Sequence, residues 1–165
     1  MKSWTFLDRS EWGSGEWDSE PDKVQWTDEA TGYACLLHRG GFGHWCGYVG
    51  VPPSHPMYAR EYSDIYENVV VLDVHGGLTF SDHCDPLHDE ETGRGICHVP
   101  EPGSPDDVWW LGFDCGHAFD YSPGAAARLK AFAPELPRLT HEIYRNMAYV
   151  MQQTRELAAQ LAELA

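Results

Sequence analysis

Apolar and polar positions along this 165-residue chain follow two periods, and the switches between them set the expected architecture. From Lys23 to Thr27 the period is two, with Val24 and Trp26 on one face. The turn-forming Asp28-Glu29-Ala30-Thr31-Gly32 then leads into a second apolar stretch at 33–39, which predicts a β-hairpin. Gly40-Gly41-Phe42-Gly43 punctuates, and a third strand is expected over 44–51. Pro52, Pro53 and Pro56 exclude helix and central strand, so a surface connection follows, then a short helix over 57–66. A fourth strand is expected at 69–74, with short strands at 78–81 and 96–99 and a loop over 101–105. The run 107–113 is too continuously apolar to have a solvent face and is expected inside the sheet. Ser122-Pro123 opens a helix that Pro134 and Pro137 end. Ile143, Met147, Val150, Thr154, Leu157, Leu161 and Leu164 recur at alternating spacings of four and three, predicting one amphipathic helix over 140–164. The expected fold is α+β: residues 1–22 as an N-terminal arm, then a single domain over 23–165. Its antiparallel or mixed sheet is packed by the C-terminal helix, the alternative for that helix being a homodimer contact.

Two of these runs deliver polar side chains at their ends, which is how a scaffold presents a site. One leads to His75-Gly76-Gly77 and Thr79, the other to Asp114-Cys115-Gly116-His117 and Asp120, with His83, Cys84, Asp85, His88 and Asp89 in the loop between and Cys97-His98 closing it. His75, Asp114, His117 and Asp120 are the candidate catalytic groups, since a carboxylate beside an imidazole orients the ring and raises its basicity. Tyr48, Gly76, Gly77, Thr79 and Trp110 are the candidate ligand contacts, offering flat apolar surface and free backbone for a nucleotide-like molecule. Cys84, His88 and His117 are the candidate metal ligands, and zinc is the ion that such thiolate and imidazole donors suit, though the spacing is that of no standard zinc finger or zincin. Cys35, Cys46 and Cys97 are also explained as buried small apolar residues. The glycine-rich stretches at 40–43 and 47–50 are not phosphate loops, because no GK[ST] follows.

Charge narrows the partners. Eleven basic against 26 acidic residues give a net charge of −15, which repels phosphate backbones and argues against direct nucleic-acid binding. The same charge leaves open a protein that imitates nucleic acid to occupy a host protein. Five cysteines without a CxxC pair, an opening Met1-Lys2-Ser3-Trp4-Thr5-Phe6 that lacks the apolar core of a signal peptide, and no run of bilayer length lead to the expectation of a cytoplasmic protein with free thiols and no membrane contact.

Several blocks carry a resemblance. Glu20 to Asp28, Cys46-Gly47-Tyr48-Val49-Gly50-Val51-Pro52, Val74-His75-Gly76-Gly77-Leu78-Thr79-Phe80, Ile96-Cys97-His98 and Trp109-Trp110-Leu111-Gly112-Phe113-Asp114-Cys115-Gly116-His117 resemble a family of small proteins encoded by bacteriophages and prophage-bearing bacteria. The likeness runs from about Glu20 to the final helix. It implies a phage-related context in the host cytoplasm and transfers no mechanism. The expected function is an accessory protein that binds a small nucleotide-like ligand or a host protein, with a small metal-dependent hydrolase as the alternative.

Overall fold

The computed structural model describes residues 1–102, 106–138 and 141–165. The sheet-forming stretches lie in the order β1 (Lys2–Trp4), β2 (Lys23–Thr27), β3 (Ala34–Arg39), β4 (Trp45–Val51), β5 (Phe80–Asp82) and β6 (Trp109–Asp114) along the chain. The helices are α1 (Tyr62–Asn68), α2 (Pro123–Phe132) and α3 (Met147–Glu163), with a short 3-10 turn at Glu16–Ser19. In space the strands run β1-β2-β3-β4-β6-β5, and each pairing is antiparallel. This is an α+β fold. β6 lies inside the sheet between β4 and β5, as its continuous apolar run requires.

Strand alternation sorts the core into two faces. Val24, Trp26, Leu37, Val49, Leu111 and Phe113 face α3, while Leu36, Cys46, Tyr48 and Trp110 face the other way. The apolar stripe of α3 packs across β3 and β4 through the buried Val150, Leu157, Ala158 and Leu161. Close approach is made possible at Gly47, where a Cβ would collide with the Thr154 hydroxyl and the Phe113 ring. Thr154 is fully buried in the helix and donates its hydroxyl back to Val150 O at 2.8 Å.

Several expected elements differ. Residues 69–74 form no strand: they run as irregular chain after α1, with Leu72 and Val74 buried and Val71 exposed. The alternation is that of a strand, but the polar partner is a helix. Gln160 accepts from Asp73 N at 2.8 Å and donates to Asp73 O at 2.9 Å, and Gln153 accepts from His75 N at 2.9 Å. Two side-chain amides on α3 thus do for this segment what a neighbouring strand would do. Replacing Gln160 by Ala should cost about 1 kcal/mol, and the Asp73 amide should exchange with deuterium faster while the β3 and β4 amides do not.

The short helix expected over 57–66 forms at Tyr62–Asn68, and the strand expected at 78–81 forms at Phe80–Asp82. Residues 96–99 form no strand. The last helix begins at Met147, where Asn146 accepts from Tyr149 N at 3.0 Å as its N-cap. Thr140, where the helix was expected to begin, lies outside the described residues, as do Gly103, Ser104 and Pro105 of the expected loop. Residues 2–4 of the expected arm pair with β2 as the edge strand.

Candidate functional site

His75, Asp114, His117 and Asp120 come together at one end of the sheet. His75 is delivered by the glutamine-held segment into a turn whose Gly76 and Gly77 have φ of 70 and 79°, which only glycine adopts freely. A side chain at Gly76 would collide with the His117 ring, so this glycine also permits the two histidines to approach to 5.9 Å between ring centroids.

His75 is the best-bonded ring of the group. Its Nε2 lies 2.7 Å from Asp120 Oδ2 and its Nδ1 3.0 Å from the Tyr149 hydroxyl. With the proton on Nε2 the ring donates to the carboxylate and accepts from the phenol. Asp120 is buried and also accepts from Arg145 Nε at 3.0 Å and from His117 N at 3.2 Å. Tyr149, Arg145 and His44 were missing from the sequence-based set. Arg145 precedes the Asn146 cap and Tyr149 lies in the first turn of α3, so no helical spacing in the sequence joined the two.

Beside this chain the polar groups are less satisfied. Asp114 Oδ1 lies 3.6 Å from His117 Nε2 and accepts from Gly116 N at 2.9 Å. His117 Nε2 and His44 Nδ1 are buried atoms without a hydrogen-bond partner among the described residues. Burial by itself would raise the Asp114 carboxyl, but the Gly116 amide, the Thr79 hydroxyl and the His117 and His44 rings together hold it below its ordinary value. Burial lowers His44, with Asp114 and Asp120 opposing. The neighbouring Cys115 is not available as a nucleophile, since burial pushes its thiol well up.

Other expected contacts lie elsewhere. Trp110 is 0% exposed and donates from Nε1 to Cys84 Sγ at 3.3 Å, and Tyr48 is buried edge-on against Phe80 at 5.2 Å. Neither is a wall of a ligand site, because both side chains fill the core on the face away from α3. Cys84 packs on that same face, whereas His117 sits with His75 at the end covered by Tyr149 of α3, so the expected set Cys84, His88 and His117 does not converge on one ion. Nor are all five thiols free: Cys84 and Cys97 form a disulfide, with Cα atoms 4.6 Å apart, while Cys35, Cys46 and Cys115 are free and buried.

Two surface clefts open away from the histidines. One, of about 710 Å³, is lined by Lys2, Trp26, Asp28, Glu29 and Arg155 among others, and the second, of about 290 Å³, by Trp12, Gly41, Gly124 and Arg128. Both are built largely from polar or loop residues and hold no group of histidines with carboxylates, so the strand-end cluster is the better candidate. No helix among the described residues is long and apolar enough to cross a membrane. No protein-family model, curated protein or solved structure matches the chain.

Proposed function

We propose that this protein is an accessory protein of the phage-encoded kind its sequence blocks resemble, and that it binds a basic host protein through the histidine-carboxylate end of the sheet. The observation that carries this reading is Phe119. Its side chain is 69% exposed, and its backbone has φ of 72°, a left-handed conformation that non-glycine residues rarely adopt. It is held there by Ile143, itself 54% exposed, whose N–H donates to Phe119 O at 2.8 Å. An exposed aromatic and an exposed aliphatic residue are thus tied together through their backbones, two residues along the chain from His117, whose Nε2 lies 3.6 Å from Asp114 Oδ1, in a chain of net charge −15. Rigid exposed apolar anchors ringed by polar groups are what protein interfaces use. The acidic surface selects a basic partner and speeds the encounter.

The competing readings have less support. A planar small ligand would lack its aromatic walls, because Tyr48 and Trp110 are core residues. Turnover through His75 would require one ring nitrogen to face a substrate, and both are occupied within the protein.

The test is capture from a bacterial lysate by the wild-type chain and by Phe119→Asn. Asn tolerates the left-handed conformation, so the variant should fold with unchanged stability while losing the ring. A basic protein should be retained by the wild type, released as salt rises, and bound about 30-fold more weakly by the variant. Equal retention by both proteins, or binding indifferent to salt, would retire this reading.

A further inference from the structure

On the face of the sheet away from α3, a second cluster surrounds the Cys84–Cys97 pair. One donor atom from each of Cys84, Cys97 and Asp106 lies within 4.8 Å of the other two. His98 follows Cys97 directly, is 7% exposed, and packs edge-on against Trp110 at 5.3 Å. Its Nε2 is buried and has no aligned hydrogen-bond partner among the described residues, with Asp106 Oδ1 3.2 Å away. His98 reaches the cluster through Asp106, the carboxylate it pairs with. The fourth observation is Trp110, whose indole N–H donates to Cys84 Sγ at 3.3 Å. Thiolate sulfur is a far better acceptor than disulfide sulfur, because it carries the charge.

We propose that the reduced protein binds one Zn²⁺ through Cys84, Cys97, His98 and Asp106. The donor types are those zinc takes, at bond lengths of about 2.0–2.3 Å in a closed tetrahedral shell. Trp110 then serves as the outer-shell donor that fixes one thiolate. Lys23, fully buried with its Nζ 2.9 Å from Gly95 O in the loop that leads to Cys97, supplies a positive charge against the net negative charge of such a centre. A dithiol reductant converts the disulfide to two thiols by giving two electrons and two protons, and leaves as its own cyclic disulfide. Zinc then displaces one proton from each thiol, so binding releases two protons. The site accounts for a cysteine pair in a chain whose composition suits a reducing compartment. It is separate from the strand-end cluster and does not depend on the host-partner reading.

The experiment uses the full chain, reduced by a dithiol and desalted without oxygen, with Zn²⁺ or Co²⁺ as the probe. One equivalent of Zn²⁺ should appear in the native mass of the reduced protein and none in the oxidised protein. Co²⁺ should give thiolate charge-transfer absorption with intense tetrahedral d–d bands, a readout that needs no variant. Cys97→Ser and His98→Asn should each weaken Zn²⁺ binding by more than about 100-fold, beyond the usual outer-shell effect. Asp106→Asn, at an exposed carboxylate, should weaken it without unfolding the chain, and His117→Ala should leave it unchanged. Absence of zinc uptake on reduction, or a cobalt spectrum without thiolate character, would overturn the proposal. Loss of binding in His88→Asn with retention in Asp106→Asn would overturn this donor set, since His88 Nε2 is also buried and has no partner among the described residues.

Discussion

Replacing Arg39 by Met is expected to destabilise the fold by about 3–5 kcal/mol, the usual cost of removing one partner from a buried ion pair. Arg39 is 2% exposed and spends every part of its guanidinium. It donates to Glu20 Oε2, Gly43 O and the Tyr144 hydroxyl at 2.7 Å each and to Pro21 O at 3.1 Å, approaches Asp22 at 3.4 Å, and stacks on Trp45 at 4.1 Å. The acids it serves also have structural duties. Glu20 accepts from Met147 N at 2.7 Å, which places a carboxylate on the N-terminus of α3, where the helix dipole favours negative charge. Asp22 accepts from Phe6 N at 2.6 Å and Leu7 N at 2.7 Å and pairs with Arg9, tying the N-terminal segment to the sheet. Without the guanidinium, the buried Asp22 and the largely covered Glu20 are left with one cation fewer. For a chain of this length the loss should lower the melting temperature by about 10 °C or more, measurable by calorimetry. A variant that melts within about 2 °C of the wild type would mean that water replaces the guanidinium at little cost.

The hub illustrates what was legible in the sequence and what was not. The strands at 23–27, 34–39, 45–51 and 109–114 could be read because their apolar alternation or continuity follows from burial, and burial is a local property of the residue types. The segment 69–74 has the same alternation, and only the position of Gln153 and Gln160 on a distant helix decides that its hydrogen bonds go to side chains. That information is absent from the segment itself. Burial on both faces of β4 and β6 likewise defeated the assignment of Tyr48 and Trp110 as ligand contacts, since an aromatic residue on a strand looks the same whether its face is covered or open. His75, Asp114, His117 and Asp120 were found together because each ends or follows an apolar run, and the ends of such runs gather where buried chain emerges, here at one end of the sheet. Cys84 and Cys97 could not be paired from five cysteines, because spacing says nothing about which sulfur atoms meet.

Acidification should destabilise the protein well above the range in which carboxylates titrate, and His38 should dominate the loss. Its Nδ1 lies 2.8 Å from Arg39 O, so this nitrogen carries the proton, while its Nε2 is buried with no partner among the described residues. Adding a proton at Nε2 would bury a charge and an unsatisfied N–H together. Burial is accordingly the leading reason why His38 is lowered from 6.5 to about 4; Lys23, its cross-strand partner, adds repulsion, and Asp22 and Asp85 oppose. The sign follows from proton counting. Between pH 6.5 and about 4 the unfolded chain binds the proton and the folded chain does not, so stability is fully present above the unfolded value and falls as pH drops toward the folded value. The expected loss from this ring is roughly 2 kcal/mol by pH 5 and roughly 3 kcal/mol by pH 4. His44, His88 and His98 are lowered as well, chiefly by burial, and add to the same window. Asp8, Asp89 and Asp114 are held below 3.8, so their contribution is lost only at still lower pH. Urea midpoints measured at intervals from pH 7 to pH 4 should therefore fall steadily in the wild type and less steeply in His38→Asn, whose amide can keep the bond to Arg39 O without titrating. Parallel curves for the two proteins would show that water reaches Nε2 and that the ring is not desolvated.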